Sequence, residues 1–251
     1  GAILGSTMLS KSSLVKLTIK AGTSEIPSEL CRACKKLTDI TLPETITKIG
    51  KSSFASCMAL ETFKLPPSVV SLDTGSFGDL EALKTIGLMQ NVKGMLYQTF
   101  QGCIKLEDGY IPYGITQING AYNRCHAIRT ITVPKSVTRV LDYAFGPMNN
   151  LESIYFLTSS TYIAPSSGVT KGATICNSIS NSTAKHDKMK IYGFAGSTAE
   201  TYASTYSIPF VALGEFKSLE LITKPNKLTY KIGELLDLEG FYLQAEYEGA
   251  S

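Results

Sequence analysis

Residues 54–76 read FASCMALETFKLPPSVVSLDTGS. The stretch opens on an aromatic, Phe54, then two small residues and Cys57. L-x-x-Φ-x-L-P follows from Leu60 to Pro66, where Φ is apolar, and then the spaced apolar pair Val69 and Leu72. Moving along the chain by 23 residues brings the pattern back. The anchor leucine recurs as Leu14, Leu37, Leu60, Leu83, Leu106, Ile128 and Leu151, at intervals of 23, 23, 23, 23, 22 and 23. A fixed period of this size marks an array of coils, because one such unit cannot bury its apolar face and a stack of them can. The predicted fold is a mainly β repeat solenoid of short strands joined by 3₁₀ or helical turns.

Within a coil, Leu14-Val-Lys-Leu-Thr-Ile19 reads as a short alternating strand with Leu17 and Ile19 inward. The copies at Leu37, Leu60 and Ile128 end in Pro43, Pro66 and Pro134, which stop the strand because proline cannot donate to a ladder. The Leu83 copy runs to Leu88. The second apolar pairs are Ile46/Ile49, Val69/Leu72, Val92/Met95, Ile115/Ile118 and Val137/Val140. Residues 8–30 form a degenerate first copy, with Met8 at the aromatic position and Lys11 at the cysteine position. Strands about 4.8 Å apart predict a main sheet on the order of 30 Å wide over seven coils. Gly109 stands where an inward apolar residue belongs, which predicts a local thinning or bulge.

Cys31 and Cys34 make a C-x-x-C that metal or redox chemistry would use. The period gives them another meaning. Cys34, Cys57, Cys103 and Cys125 share one repeat position with Leu80 and Met148, and Cys31 falls on the aromatic position. A slot shared by Cys, Leu and Met is small and apolar, so buried thiols are expected. Disulfides between stacked slots stay open, since neighbouring coils lie within bridging range.

The chain has 251 residues, 43% hydrophobic and 18% charged, which allows one or two domains with a continuous core. A net charge of +3 with no basic block argues against nucleic-acid binding. No run of about 18 apolar residues is present, so no membrane span is expected. GAILGSTMLS does not read as a signal peptide, and Gly1 with the abrupt end at Ser251 predicts a piece of a longer chain.

Chemistry is sparse. The two histidines are His126, beside Cys125 in a repeat turn, and His186 in a polar segment. Adjacent turn residues point apart, so Cys125 and His126 make a poor nucleophile–base pair. There is no phosphate loop, H-E-x-x-H or EF-hand motif, and no cofactor or metal is expected. Asn181-Ser-Thr183 matches a glycosylation sequon that matters only in a eukaryotic secretory pathway. What remains is the outward face of the main sheet. One ladder runs Lys16, Asp39, Thr62, Thr85, Asp108, Thr130, Ser153, and the next Thr18, Thr41, Lys64, Gly87, Tyr110, Thr132, Tyr155. Thr and Ser are ordinary filler of a solvated strand face. The candidate ligand-binding residues are Lys64, Asp108, Tyr110, Tyr155 and nearby Tyr113, because an exposed aromatic can stack on a sugar ring or anchor a protein. The plain alternative is a solvated sheet with incidental tyrosines.

The unit LTDITLPETITKIGKSSFASC, residues 37–57, resembles the BspA-like leucine-rich repeat, and the likeness extends over residues 8–213. Residues 157–188 depart from it as a Ser/Thr/Asn-rich insertion expected to loop out in place of a copy. Residues 189–213 resemble the terminal cap of such arrays, with a helix begun by Ser197 and Glu200 at the capping-box position. Residues 214–251 are similar to the start of a group 3 bacterial immunoglobulin-like module, too short for a whole sandwich. The resemblance implies a non-enzymatic adhesion module on a bacterial cell surface, extracellular, binding a host extracellular protein or glycan. Two rivals are a structural spacer with no dedicated ligand and a hydrolase using residues 157–188.

Overall fold

The computed structural model describes residues 9–87, 89–165, 173–180, 183–214, 216–223 and 242–247. Met8, Leu88 and the sequon residues Asn181 and Ser182 lie outside the described residues. Each coil runs through a front strand, a back strand and a closing turn. The front strands are β1 (Lys16–Thr18), β3 (Asp39–Thr41), β8 (Thr130–Val133), β10 (Ser153–Phe156), β14 (Lys190–Gly193) and β15 (Phe210–Ala212). The back strands are β2 (Glu25–Ile26), β4 (Lys48–Ile49), β5 (Ser71–Leu72), β6 (Lys93–Tyr97), β7 (Gly114–Asn119), β9 (Arg139–Val140) and β11 (Tyr162–Ile163). All of these pair in parallel, and equivalent residues align: Leu17 with Ile40, Ile131 with Ile154, Ile26 with Ile49 and Leu72. The chain is the mainly β solenoid that the period predicts.

The front sheet is not the continuous surface expected. It is a β1–β3 pair, a single bridge between Thr62 and Thr85, and a four-stranded sheet β8–β10–β14–β15. Gly87, at φ +72, turns the chain out of extended geometry just after the bridge. The coil at Leu106 contributes no front strand, so Gly109 produces a gap larger than a bulge. On the back face the expected Val92/Met95 pair is also corrected. Gly94 has φ +92, the register against β7 shifts between Gly94 and Met95 with Thr116 left out of the pairing, and Leu96 takes the inward place. Leu96 is fully buried, while Met95 is 45% exposed.

The core is a set of rows along the stack. Phe54, Phe77, Phe100, Tyr122 and Phe145 form a buried aromatic spine with successive ring centroids 5.8, 5.9, 5.5 and 6.1 Å apart. Beside it runs the cysteine row. All six cysteines are buried and free. Their slot is less apolar than expected: the thiols of Cys57, Cys103 and Cys125 donate to the carbonyls of Cys31, Phe77 and Phe100 at 3.1, 3.0 and 3.1 Å.

The turns carry a ladder of their own. Ala33, Ser56, Asp79, Gly102 and Arg124, each preceding the cysteine-row position, all have positive φ. So do Glu29, Ser52, Gly75, Gln98, Gly120 and Tyr143. That conformation aims each amide at the next coil: Ala33 donates to Ala55 at 2.7 Å, Ser56 to Gly78 at 2.8 Å, and Asp79 to Gln101 at 2.7 Å. Backbone bonding between coils therefore continues through the turns where the front sheet fails.

Residues 157–188 do not loop out as a whole. β11 joins the back sheet beside β9, and Ile175 bridges to Phe145, so this coil continues the stack. The excess is an antiparallel pair, β12 (Ser178–Ser180) with β13 (Thr183–Lys185). The chain then returns to the front sheet as β14 beside β10. Helix α1 (Thr198–Thr205) follows, with the Ser197 hydroxyl accepting from the Glu200 amide at 3.2 Å. The Glu200 carboxylate reaches back to the Gly196 amide at 2.6 Å, one residue before the usual capping-box partner. Beyond the cap, β16 (Phe216–Thr223) and β17 (Tyr242–Tyr247) pair antiparallel. The rest of the segment read as immunoglobulin-like lies outside the described residues. No helix among the described residues is long and apolar enough to cross a membrane.

Candidate functional site

The gap in the front sheet shapes the site. In the neighbouring coils the third residue after the anchor is Phe63, Ile86, Ile131 or Ile154, each buried in the core. Gly109 has no such side chain. The Glu107 amide still bonds the Lys84 carbonyl at 3.0 Å, but beyond it no hydrogen bond among the described residues joins 108–113 to 129–133. Instead the glycine backbone presses against the next coil. A Cβ on Gly109 would lie 2.4 Å from the Thr130 carbonyl oxygen and 3.0 Å from Ile128 Cγ2. The position tolerates glycine because nothing larger fits.

Two side chains replace the missing ladder bonds. The Tyr122 hydroxyl donates to the Tyr110 carbonyl at 2.9 Å, and full burial raises the phenol's pKa, keeping it a donor. The Asp108 carboxylate accepts from the Ile86 amide, yet burial still raises its pKa above the usual carboxylate value. Ile111, 3% exposed, fills the core beneath.

Beside this rearranged backbone lies a cleft of about 370 Å³, lined by Gly109, Tyr110, Ile111, Tyr113, Thr130, Thr132 and Pro134. Tyr110 is 43% and Tyr113 61% exposed. Burial raises the Tyr110 pKa. No carboxylate, cation or imidazole lines the cleft. Sequence reading named the two tyrosines but not Thr130, Thr132 or Pro134, which look like ordinary repeat filler.

The other candidates lie apart from the cleft. Lys64 is exposed on an earlier coil, and Asp108 is turned to the Ile86 amide. Tyr155 is half-buried, its ring stacked on Tyr192 with centroids 4.3 Å apart and planes 15° from parallel. Tyr192 escaped the ladder because the enlarged coil breaks the 23-residue count. Cys125 donates inward to Phe100, whereas His126 Nδ1 accepts from the Asn149 amide at 3.3 Å, so the two side chains serve different links between coils. Burial first and Arg124 second lower the His126 pKa. Among the described residues no three of His, Cys, Asp and Glu are grouped as metal ligands. A second cleft, of about 270 Å³, lies between β11 and α1 and is lined by Tyr, Thr, Ile and Pro side chains. No carboxylate lines it, which leaves the hydrolase reading without an acid–base couple there.

The profile described as the BspA type leucine rich repeat region matches in six copies over residues 2–122 and 97–202. No curated protein matches the chain. Among solved structures, a leucine-rich repeat protein of T. pallidum is similar at 21% identity and TM-score 0.52, covering 57% of this chain and 72% of that one. At that identity the likeness concerns the fold. A leucine-rich repeat protein from Bacteroides ovatus is 18% identical with TM-score 0.44, covering 72% of this chain; the alignment spans 55% of that protein's length. A leucine rich cell surface protein from Faecalibacterium prausnitzii is 22% identical with TM-score 0.35, covering 58% of this chain and 60% of that one.

Proposed function

This chain belongs to the BspA type leucine-rich repeat family, and we propose that it is the non-enzymatic binding module of a bacterial surface protein, acting outside the cell. Its partner is a host extracellular protein or a glycan, met through the front face. One observation carries the reading: two exposed tyrosines, Tyr110 and Tyr113, converge on an uncharged cleft where the front sheet is interrupted. A repeat array suits such a role because it presents a long concave surface on a rigid frame. The antiparallel pair β16–β17 is the start of an immunoglobulin-like spacer that carries the solenoid away from the cell. No cofactor or metal takes part.

The test is a binding array of the purified chain on extracellular-matrix proteins and glycans, beside a Tyr110→Ala/Tyr113→Ala variant of matched melting temperature. Saturable binding lost in the variant supports the reading. Binding retained by the variant moves the site to another face. No saturable binding to any probe leaves the spacer role in its place.

A further inference from the structure

We propose that the Tyr110–Tyr113 cleft takes a neutral carbohydrate, one or two hexose rings at a time. This rests on the binding-module reading above and names the chemistry of its ligand. A pyranose has an apolar C–H face and a rim of hydroxyls, and the cleft offers the complement of both. Tyr110, Tyr113 and Pro134 supply flat apolar surfaces. Thr132 supplies a hydroxyl, the Thr130 hydroxyl being engaged with Ser153 Oγ at 3.0 Å, and β8 supplies backbone groups as well.

The register of β8 says which backbone groups are available. Its odd residues turn to β10: the Ser153 amide bonds the Arg129 carbonyl at 3.2 Å and the Leu157 amide the Val133 carbonyl at 3.1 Å. By alternation Thr130 and Thr132 turn their amides and carbonyls to the opposite edge, toward the cleft. The Thr130 carbonyl is covered by the Gly109 backbone, which leaves the Thr130 amide and the edge groups of Thr132. That is enough for a sugar hydroxyl and too little for a peptide strand, which pairs along a run of residues. Pro134 closes the other end.

Charge and size narrow the ligand further. An acidic polysaccharide calls for cations, and no Lys or Arg lines the cleft. The volume of about 370 Å³ sits at the small end of ligand pockets, roughly 300–1,000 Å³. The Tyr122–Tyr110 bond and the Gly109 contact hold the Tyr110 backbone before any ligand arrives, so little ordering remains on binding.

The experiment titrates the full chain with neutral trisaccharides (maltotriose, cellotriose, laminaritriose, mannotriose), read by amide chemical shifts and calorimetry. Parallel titrations use chondroitin sulfate and a proline-rich peptide. We expect at least one neutral trisaccharide to saturate, with affinity about tenfold weaker in Tyr113→Ala. That affinity stays unchanged in Tyr162→Ala, which alters the second cleft, and unchanged between low and high salt. Saturation by only the sulfated glycan or only the peptide overturns the proposal, and so does loss that follows Tyr162 instead of Tyr113. If no neutral sugar binds while a protein partner still requires Tyr110 and Tyr113, the carbohydrate inference falls and the binding-module reading stands. If neither binds, both fall.

Discussion

The Tyr122 hydroxyl donates to the Tyr110 carbonyl at 2.9 Å, linking the aromatic spine to the lining of the cleft. The other spine positions, Phe54, Phe77, Phe100 and Phe145, carry no hydroxyl, and their coils lack a glycine at the third position after the anchor. The hydroxyl thus compensates a local loss: where Gly109 takes the strand out of the sheet, a side chain satisfies a carbonyl the ladder no longer reaches. Tyr122→Phe keeps the ring and removes the donor. We expect a loss of about 1–2 kcal/mol in urea unfolding, with shifted amide signals at Tyr110 and Tyr113. No change in either would show that the carbonyl is satisfied elsewhere.

Gly109→Ala tests the close approach at the cleft. The added methyl meets the Thr130 backbone carbonyl at 2.4 Å, and backbone, unlike a flexible side chain, does not swing aside. The coils must separate locally, at a cost of about 1–3 kcal/mol. The melting temperature should fall and any ligand of the cleft should bind more weakly. A variant as stable as the parent would mean the coil re-forms a front strand, and amide exchange at Asp108–Ile111 would report it.

Why the cleft was only half legible follows from how it arises. Its tyrosines stood out because aromatics are rare on a Thr-rich ladder. Thr130, Thr132 and Pro134 occupy standard repeat positions and line a cleft because no strand pairs beside them at Gly109. The rows of Leu, Phe and Cys were readable since burial selects similar residues at each coil. The turn ladder was not: its left-handed positions hold Ala33, Ser56, Asp79 and Arg124, which share a backbone conformation and no side-chain chemistry. Met95 and Leu96 differ by one residue, and the register shift after Gly94 turns Leu96 inward instead of Met95.

Those left-handed residues store a small strain that substitution can release. Ala33 has φ +60, which costs a Cβ-bearing residue about 1 kcal/mol or more. Its amide bond to the Ala55 carbonyl, at 2.7 Å, does not depend on the methyl group. Ala33→Gly should stabilise the chain by about 0.5–1 kcal/mol after the extra freedom of glycine in the unfolded chain is counted. Destabilisation instead would show that packing of the Ala33 methyl outweighs the backbone strain.

The buried thiols should make stability fall at alkaline pH. Burial pushes Cys57, Cys103 and Cys176 up to about 12 from an ordinary 9.0. Cys31 and Cys125 are raised as well, again first by burial. Below pH 9 both folded and unfolded chains hold these protons and the thiols' contribution is complete. Between pH 9 and 12 the unfolded chain releases them while the folded chain keeps them, so stability declines by about 1.4 kcal/mol per pH unit for each such thiol. Urea midpoints at pH 8, 9 and 10 measure the slope, and Cys103→Val should make it shallower. A Cys103→Val slope equal to that of the parent chain would place the titration in groups other than Cys103.

Tyr155 and Tyr113 allow packing to be separated from the proposed binding. Its ring lies flat on Tyr192 at 4.3 Å, which leaves one face engaged within the protein. It does not line the Tyr110–Tyr113 cleft. Tyr155→Ala should therefore lower stability by about 1–2 kcal/mol through the lost aromatic pair and leave ligand affinity within twofold. Tyr113→Ala should do the reverse, because the 61% exposed ring gives up little packing when removed. Thermal melts and titrations on both variants complete a double dissociation. Equal loss of affinity in the two variants would extend the ligand surface along the front sheet as far as the Tyr155–Tyr192 pair.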